Sequence, residues 1–212
     1  MMHTRTIQDE AQSTRQRILD AAVEVFSQKG YHDTRVDDIV EASGTSKGGV
    51  YFYFRSKQEI FLALIDEFAH QLERAVIEAI LHENEGIRRV NAALRSCLDV
   101  FHEYQPLAKV FLVQALGLGQ VFEEKRLEIH QRFVTAIKMY LDQALADGDI
   151  PDTDTEVAAL AWMGAINEVV IRWVIIGEPA PDRALPALRA VLLRSIGVSE
   201  ERINSLQDGE KH

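Results

Sequence analysis

An all-α fold of about nine helices is predicted, and three observations predict it. Apolar residues recur at three- and four-residue spacing along the chain, while the alternation of a half-buried strand is nearly absent. Glycine and proline are sparse and fall between the periodic segments. Several segments open on Ser or Thr with an acid or Gln three residues later, the spacing of a helix capping box. At 212 residues, 47% hydrophobic and 26% charged, the chain has an ordinary globular composition and can bury roughly 70% of its unfolded surface without a disulfide or metal.

The elements follow in order. Ser13-Thr-Arg-Gln16 opens the first helix; Ile18, Leu19, Ala22, Val23 and Phe26 form its apolar stripe, and Gly30 ends it. Thr34-Arg-Val-Asp37 opens a short second helix through Ala42, closed by Ser43-Gly44. Thr45-Ser46 caps a short third helix, Lys47 to about Phe54, and Ser56-Lys-Gln-Glu59 opens a longer fourth. Longer helices are predicted at 57–82, 86–104, 107–117, 120–146, 154–176 and 182–196. The breaks between them are Asn84/Gly86, Pro106, Gly117/Gly119, Asp147 to Pro151 and Gly177 to Pro181. Thr153-Asp-Thr-Glu156 caps the eighth, and 199–212 read as a polar tail. This divides the chain into a three-helix domain (1–56), a helical bundle (57–198) and the tail.

Composition narrows the environment. Cys97 is the single cysteine, which excludes an intramolecular disulfide and a cysteine-rich metal site. Residues 1–12 lack the apolar run of a secretory signal, and no stretch reaches 18 apolar residues. The expectation is a cytoplasmic protein with no membrane partner, metal or cofactor. The net charge of -10 argues at first against phosphate, whose binding needs clustered Lys and Arg. Its distribution reverses that. Residues 1–60 hold 8 basic and 9 acidic residues (net -1), leaving 15 and 24 (net -9) for the rest, and 42–57 carry Lys47, Arg55 and Lys57 with no acid.

The second and third helices are short and joined by Ala42-Ser-Gly-Thr-Ser46, with Gly44 at the tight turn. That is a helix-turn-helix arrangement, whose second helix enters the major groove of DNA. Thr45, Ser46 and Lys47 stand at a helix N-terminus, where free N–H groups and the dipole favour phosphate. Gly48 and Gly49 weaken the helix by roughly 1 kcal/mol each relative to Ala but remove bulk, letting backbone approach a groove. Tyr51 and Tyr53 are assigned outward, where a phenol can meet phosphate, sugar or a thymine methyl. Phe52 and Phe54, with Ile39, Val40 and Val50, are assigned to the core.

Gly30-Tyr31, Thr34, the run from Val36 to Phe54 and Ser56-Lys57-Gln-Glu59 closely resemble the DNA-binding domain of the tetracycline-repressor (TetR) family, over about residues 14–65. The resemblance implies a dimeric transcription regulator, most often a repressor, released from a palindromic operator by a small-molecule effector. Carried over by position, it places Thr34 and Arg35 on phosphate at the start of the second helix. Thr45, Ser46, Lys47 and Gly48 lie at the groove, Tyr51 and Tyr53 on backbone or bases, and Lys57 on a phosphate. Many members have His at the position of Tyr53.

The eighth helix has two apolar stripes, Trp162, Ile166, Val169, Trp173 and Leu160, Met163, Asn167, Ile171, Val174. A helix apolar on both sides must be covered on both. Homodimerisation through helices eight and nine, the latter offering Leu185, Leu188, Val191, Leu192 and Ile196, would cover it, as the resemblance implies. Glu168 and Arg172 are spaced to pair along the helix. Effector-binding candidates are Phe101, Tyr104, Phe111, Gln114, Phe133, Ile137, Trp162 and Asn167; each has a plain core alternative. The segments Phe111 to Gly117 and Asn167 to Trp173 are similar to regulators of fatty-acid degradation, which sense acyl-CoA.

Catalysis finds no support. His82-Glu83 and His102-Glu103 lack a second His at zinc-helix spacing, Gly117-Leu-Gly119 lacks the third glycine of a dinucleotide loop, and Cys97 and His102 do not share a helix face.

Overall fold

The computed structural model describes residues 2–84, 86–114 and 118–208, with side chains from residue 13 onward apart from 87, 113, 114 and 206–208. Among these, the regular structure is helical: α1 (Met2–Asp33), α2 (Val36–Ser43), α3 (Lys47–Tyr53), α4 (Lys57–Leu81), α5 (Gly86–Glu103), α6 (Gln105–Lys109) running into a π-helical turn (Val110–Gln114), α7 (Gln120–Ala146), α8 (Thr155–Ile176), α9 (Pro181–Ser195) and α10 (Glu200–Asp208).

The all-α expectation holds, with four local differences. α1 begins at Met2 rather than Ser13, because nothing between them breaks a helix; its interruption at Gly30 (φ 79°) is where the glycine placed it. Pro106 sits in the first turn of α6, where a missing N–H costs nothing, rather than between helices. What reads as one helix over 107–117 is a short α-helix and a π-turn. The expected break at Gly117 lies outside the described residues, while Gly119 (φ 115°) leads into α7. The polar tail contains α10, whose Ile203 is fully buried against the core. Two apolar residues in nine, Ile203 and Leu206, give too little periodicity to announce a helix.

The helices gather into two compact units whose limits differ from the boundary expected at 56/57. Residues 1–69 join 106–123 in one, and 70–105 join 124–212 in the other. The first unit is built on Ile18, Leu19 and Phe26 of α1, Ile39 of α2, Val50 of α3 and Ile60, Phe61 and Phe68 of α4, all buried. Phe26, Tyr31, Phe61 and Phe122 pack edge-on or stacked at centroid distances of 4.9–5.9 Å, so the first turn of α7 completes this core. Each buried Phe ring contributes about 1.5–3 kcal/mol.

In the second unit Leu94, Val134, Leu141, Trp162, Leu188, Leu192 and Ile196 form a continuous cluster. Asp154 is the N-cap of α8, accepting from Val157 N at 3.1 Å, in place of Thr153. Gly177, left-handed, ends α8. On α8, Trp162 and Trp173 of the first stripe are buried, together with Val174 of the second and Val170 of neither, while Ile166 and Val169 are half-buried. In α9 the expectation is corrected: Leu188, Leu192 and Ile196 are buried in their own protomer's core, leaving Val191 as the large apolar side chain facing out.

Candidate nucleic-acid interface

α2 and α3 are joined by a turn set by Gly44 (φ 60°, ψ 21°), whose N–H donates to Glu41 O, as the glycine's placement predicts. Ser46 caps α3, accepting from Gly49 N at 3.1 Å. Thr45 takes no part in the cap; its hydroxyl turns toward Ser43 O. The two glycines play different roles. A Cβ on Gly49 would lie 2.8 Å from Thr45 Cγ2 and 3.2 Å from Ser46 Oγ, so that glycine lets the cap close. A Cβ on Gly48 would meet nothing within 4 Å, so Gly48 alone thins the outward surface.

Val50 and Phe54, one turn apart, take the inner face of α3. Phe52 is rotated about 200° from Val50 and is 80% exposed, which corrects its assignment to the core. Counting rotation from Val50 would have found it. Its ring lies edge-on to that of half-buried Tyr53 at 5.0 Å, beside Tyr51, which is 43% exposed. Val40 is half-buried. Lys47 and Gly48 face outward with these rings, giving a small surface of one cation, bare backbone and aromatic edges suited to sugars and thymine methyls.

Two expected phosphate contacts are instead engaged inside the unit. Thr34 is 1% exposed and its hydroxyl donates to Gly30 O at 2.7 Å. Lys57 Nζ donates to the carbonyls of Tyr31 (2.6 Å), Thr34 (2.8 Å) and His32 (3.2 Å), and lies 4.4 Å from the centre of the Tyr31 ring. The break at Gly30 leaves carbonyls at the end of α1 without helical donors, and a lysine ammonium, with three hydrogens, satisfies them. Arg35 remains exposed. Its backbone N–H donates to Asp38 at 2.7 Å, and Lys29 reaches the same carboxylate at 2.9 Å; together they hold Asp38 below the usual carboxylate range. Half of the Ser56 box forms: Glu59 N donates to Ser56 Oγ, while the Glu59 carboxylate accepts from Arg55 N, one residue before the cap.

The basic stretch from Ala42 to Lys57 is acid-free along the chain but not in space. Asp37, from the first turn of α2, lies 2.7 Å from Lys47 Nζ and pushes the lysine's pKa up.

The expected effector residues divide between the units. Phe111 is buried in the first, 5.5 Å from the Phe68 ring. In the second, Trp162 belongs to the core cluster, half-buried Ile137 packs against it, and the Trp162 indole N–H donates to Ser195 Oγ at 3.0 Å. Phe101 is buried there, while Tyr104, Phe133 and Asn167 are half-buried. The Gln114 side chain lies outside the described residues. A cleft between α4 and α5, lined by Ala75, Ala79, Ala92, Ser96 and Val100 with Arg95 and Asp99 beside them, includes none of the eight. Glu168 and Arg172 both face outward, and among the described residues no ion pair joins them. Burial pushes the Cys97 thiol up to about 12, far from a reactive thiolate.

A capped, glycine-thinned helix presented by a left-handed turn on a three-helix support defines a helix-turn-helix DNA-binding protein. Residues 18–64 match the family model for bacterial regulatory proteins of the tetR family. The chain is 31% identical over 162 residues to the HTH-type transcriptional regulator SrpR of Pseudomonas putida, covering 74% of each chain. It belongs to the tetR family of DNA-binding transcriptional regulators, and it is not an enzyme. Its fold is similar to that of the fatty acid degradation regulator FadR from Bacillus halodurans (TM-score 0.81, 20% identity, 88% of this chain and 97% of that one). It is also similar to the transcriptional regulator FadR from Bacillus subtilis in complex with stearoyl-CoA (TM-score 0.76, 22% identity, 87% and 99%).

Proposed function

We propose that this protein is a cytoplasmic repressor that binds a palindromic operator as a homodimer and is released by a small, largely apolar effector, an acyl-CoA or fatty acid. The observation that carries the DNA-binding part is the outward surface of α3: Lys47, bare Gly48, Tyr51 and the exposed Phe52 over a buried Val50. Arg35, Thr45, Ser46 and Tyr53 flank it as further contacts. Thr34 and Lys57 act by positioning, through the bonds that tie the end of α1 to the start of α4.

The dimer reading rests on α8 and α9. Val157, Leu160, Ala161, Gly164 and Ile175 face outward along α8, joined by Val191 of α9. α8 is also long and apolar enough to cross a membrane by length and composition alone, but Glu168 and Arg172 interrupt its outward face, and a second copy covers such a stripe equally well. A two-fold pair would read half-sites about 34–36 Å apart. The effector reading is supported by the fold it shares with the regulator crystallised with stearoyl-CoA. Release would follow if the effector favours a state in which α4, which supplies residues to both units, sets a different spacing of the two recognition helices.

The decisive experiment is selection of duplexes from a random pool. It should enrich one two-fold-symmetric site, and a pool that stays unenriched overturns the proposal. On the selected site Lys47→Ala and Tyr53→Ala should lose affinity with the dimer intact. Long-chain acyl-CoA should release the wild type; insensitivity to it and to free fatty acids removes the effector assignment alone.

A further inference from the structure

Asp37 occupies an unexpected place. A surface that approaches phosphate gains nothing from a carboxylate, yet this one stands in the first turn of α2 and meets the only cation in α3 at 2.7 Å. Its neighbour Asp38 has structural partners, the Arg35 N–H and Lys29. Asp37 has Lys47. The two side chains are 66% and 60% exposed, so packing does not hold them together. Nor does the pair add much to stability, since exposed ion pairs are weak.

We propose that Asp37 gates the one cation of α3 on the DNA surface: it holds the Lys47 ammonium on the protein, so that arbitrary phosphates do not recruit it and only a duplex that fits α3 draws it into contact. This rests on the DNA-binding reading above. Binding to arbitrary sequence is driven by counterion release and grows with the number of phosphates neutralised. A lysine withheld by its own carboxylate subtracts one such contact from every wrong site. A right site also loses the energy of the pair, but base and sugar contacts along α3 bring Lys47 close enough for phosphate to displace Asp37, so the operator keeps the contact and its salt dependence.

The test uses the full chain as wild type, Asp37→Asn, Lys47→Gln and the double variant. Each is titrated against a random-sequence duplex and against the selected operator at several salt concentrations, with matched thermal melts. Asp37→Asn should bind the random duplex about two- to five-fold more tightly at low salt. On the random duplex its plot of log affinity against log salt should be steeper by about 0.9 per protomer, while its slope on the operator stays that of the wild type. In the Lys47→Gln background the same change should do nothing. An unchanged slope on the random duplex overturns the proposal. So does an equal gain in the Lys47→Gln background, which would make Asp37 a general repulsive charge. Wild type that binds duplex while Asp37→Asn is silent removes this inference alone; wild type that binds no duplex removes the DNA-binding reading and this with it.

Discussion

The outward faces of α3 and α8 both leave large apolar side chains in water, and they do so in opposite ways. On α3 the exposed rings, Tyr51 and Phe52, sit on a seven-residue helix beside Lys47 and the bare backbone at Gly48. On α8, Val157, Leu160 and Ile175 lie along a 22-residue helix, with small Ala161 and Gly164 between them. The first is a patch of mixed chemistry, which suits a polar, charged partner with a few apolar features. The second is a long apolar stripe, interrupted at Glu168 and Arg172, which suits a copy of itself. Exposure of an apolar group carries meaning through its neighbours.

Predictions follow from that contrast. The largest effect belongs to the stripe. Leu160→Asp should weaken dimerisation at least about 100-fold, because a two-fold interface would bury two unpaired carboxylates, and sedimentation at graded concentration reads it directly. A dimer that survives places the interface elsewhere. Next comes the support beneath the patch. Lys57→Met removes three hydrogen bonds from a charged donor and should cost about 2 kcal/mol in urea denaturation, while an unchanged midpoint would show that the end of α1 finds other partners. The patch itself should behave the other way. Phe52→Ala should lose about ten-fold in operator affinity, the scale of one well-placed apolar contact to DNA, with stability within about 0.5 kcal/mol of wild type. A fall in stability instead would restore Phe52 to the core.

The smallest effect is on pH. Asp38 is held low by the Arg35 N–H and Lys29, Asp142 by Lys138 and Thr155, and Glu200 by Arg194. Their folded pKa values lie below the unfolded ones. The stability they contribute is therefore complete above the ordinary carboxylate range and lost as pH falls through the lowered values. Thermal stability should be flat from neutrality to about pH 5 and decline below about pH 4, and Asp38→Asn should shallow that decline. A decline already under way near pH 6 would overturn this account.

The two regions also differ in how far the sequence discloses them. Around α3, special residues mark special geometry. Gly30 and Gly44 fall where the backbone turns left-handed, and Ser46 falls at the cap. Local chemistry of that kind is written in neighbouring letters. What escaped was tertiary: the Asp37–Lys47 pair, and the reach of Lys57 from α4 back to the carbonyls of Tyr31, His32 and Thr34. In the bundle, periodicity reveals helices and their faces but not which neighbour covers each face. Leu188, Leu192 and Ile196 read equally well as dimer contacts or as core, and only the packing of α9 in its own protomer places them in the core. The eight effector candidates share that ambiguity, since an aromatic residue serves a pocket and a core by the same property.

Gly48 carries a consequence for change over time. Its Cβ would enter open space, its backbone is ordinary helix, and replacing it with Ala should strengthen α3 by roughly 0.5–1 kcal/mol. The fold therefore sets no obstacle there. Any side chain introduced at 48 would project beside Lys47 without disturbing the cap that Gly49 closes. That makes position 48 a tuning point, at which one substitution could redirect the protein to a new DNA sequence while the molecule beneath it stays the same.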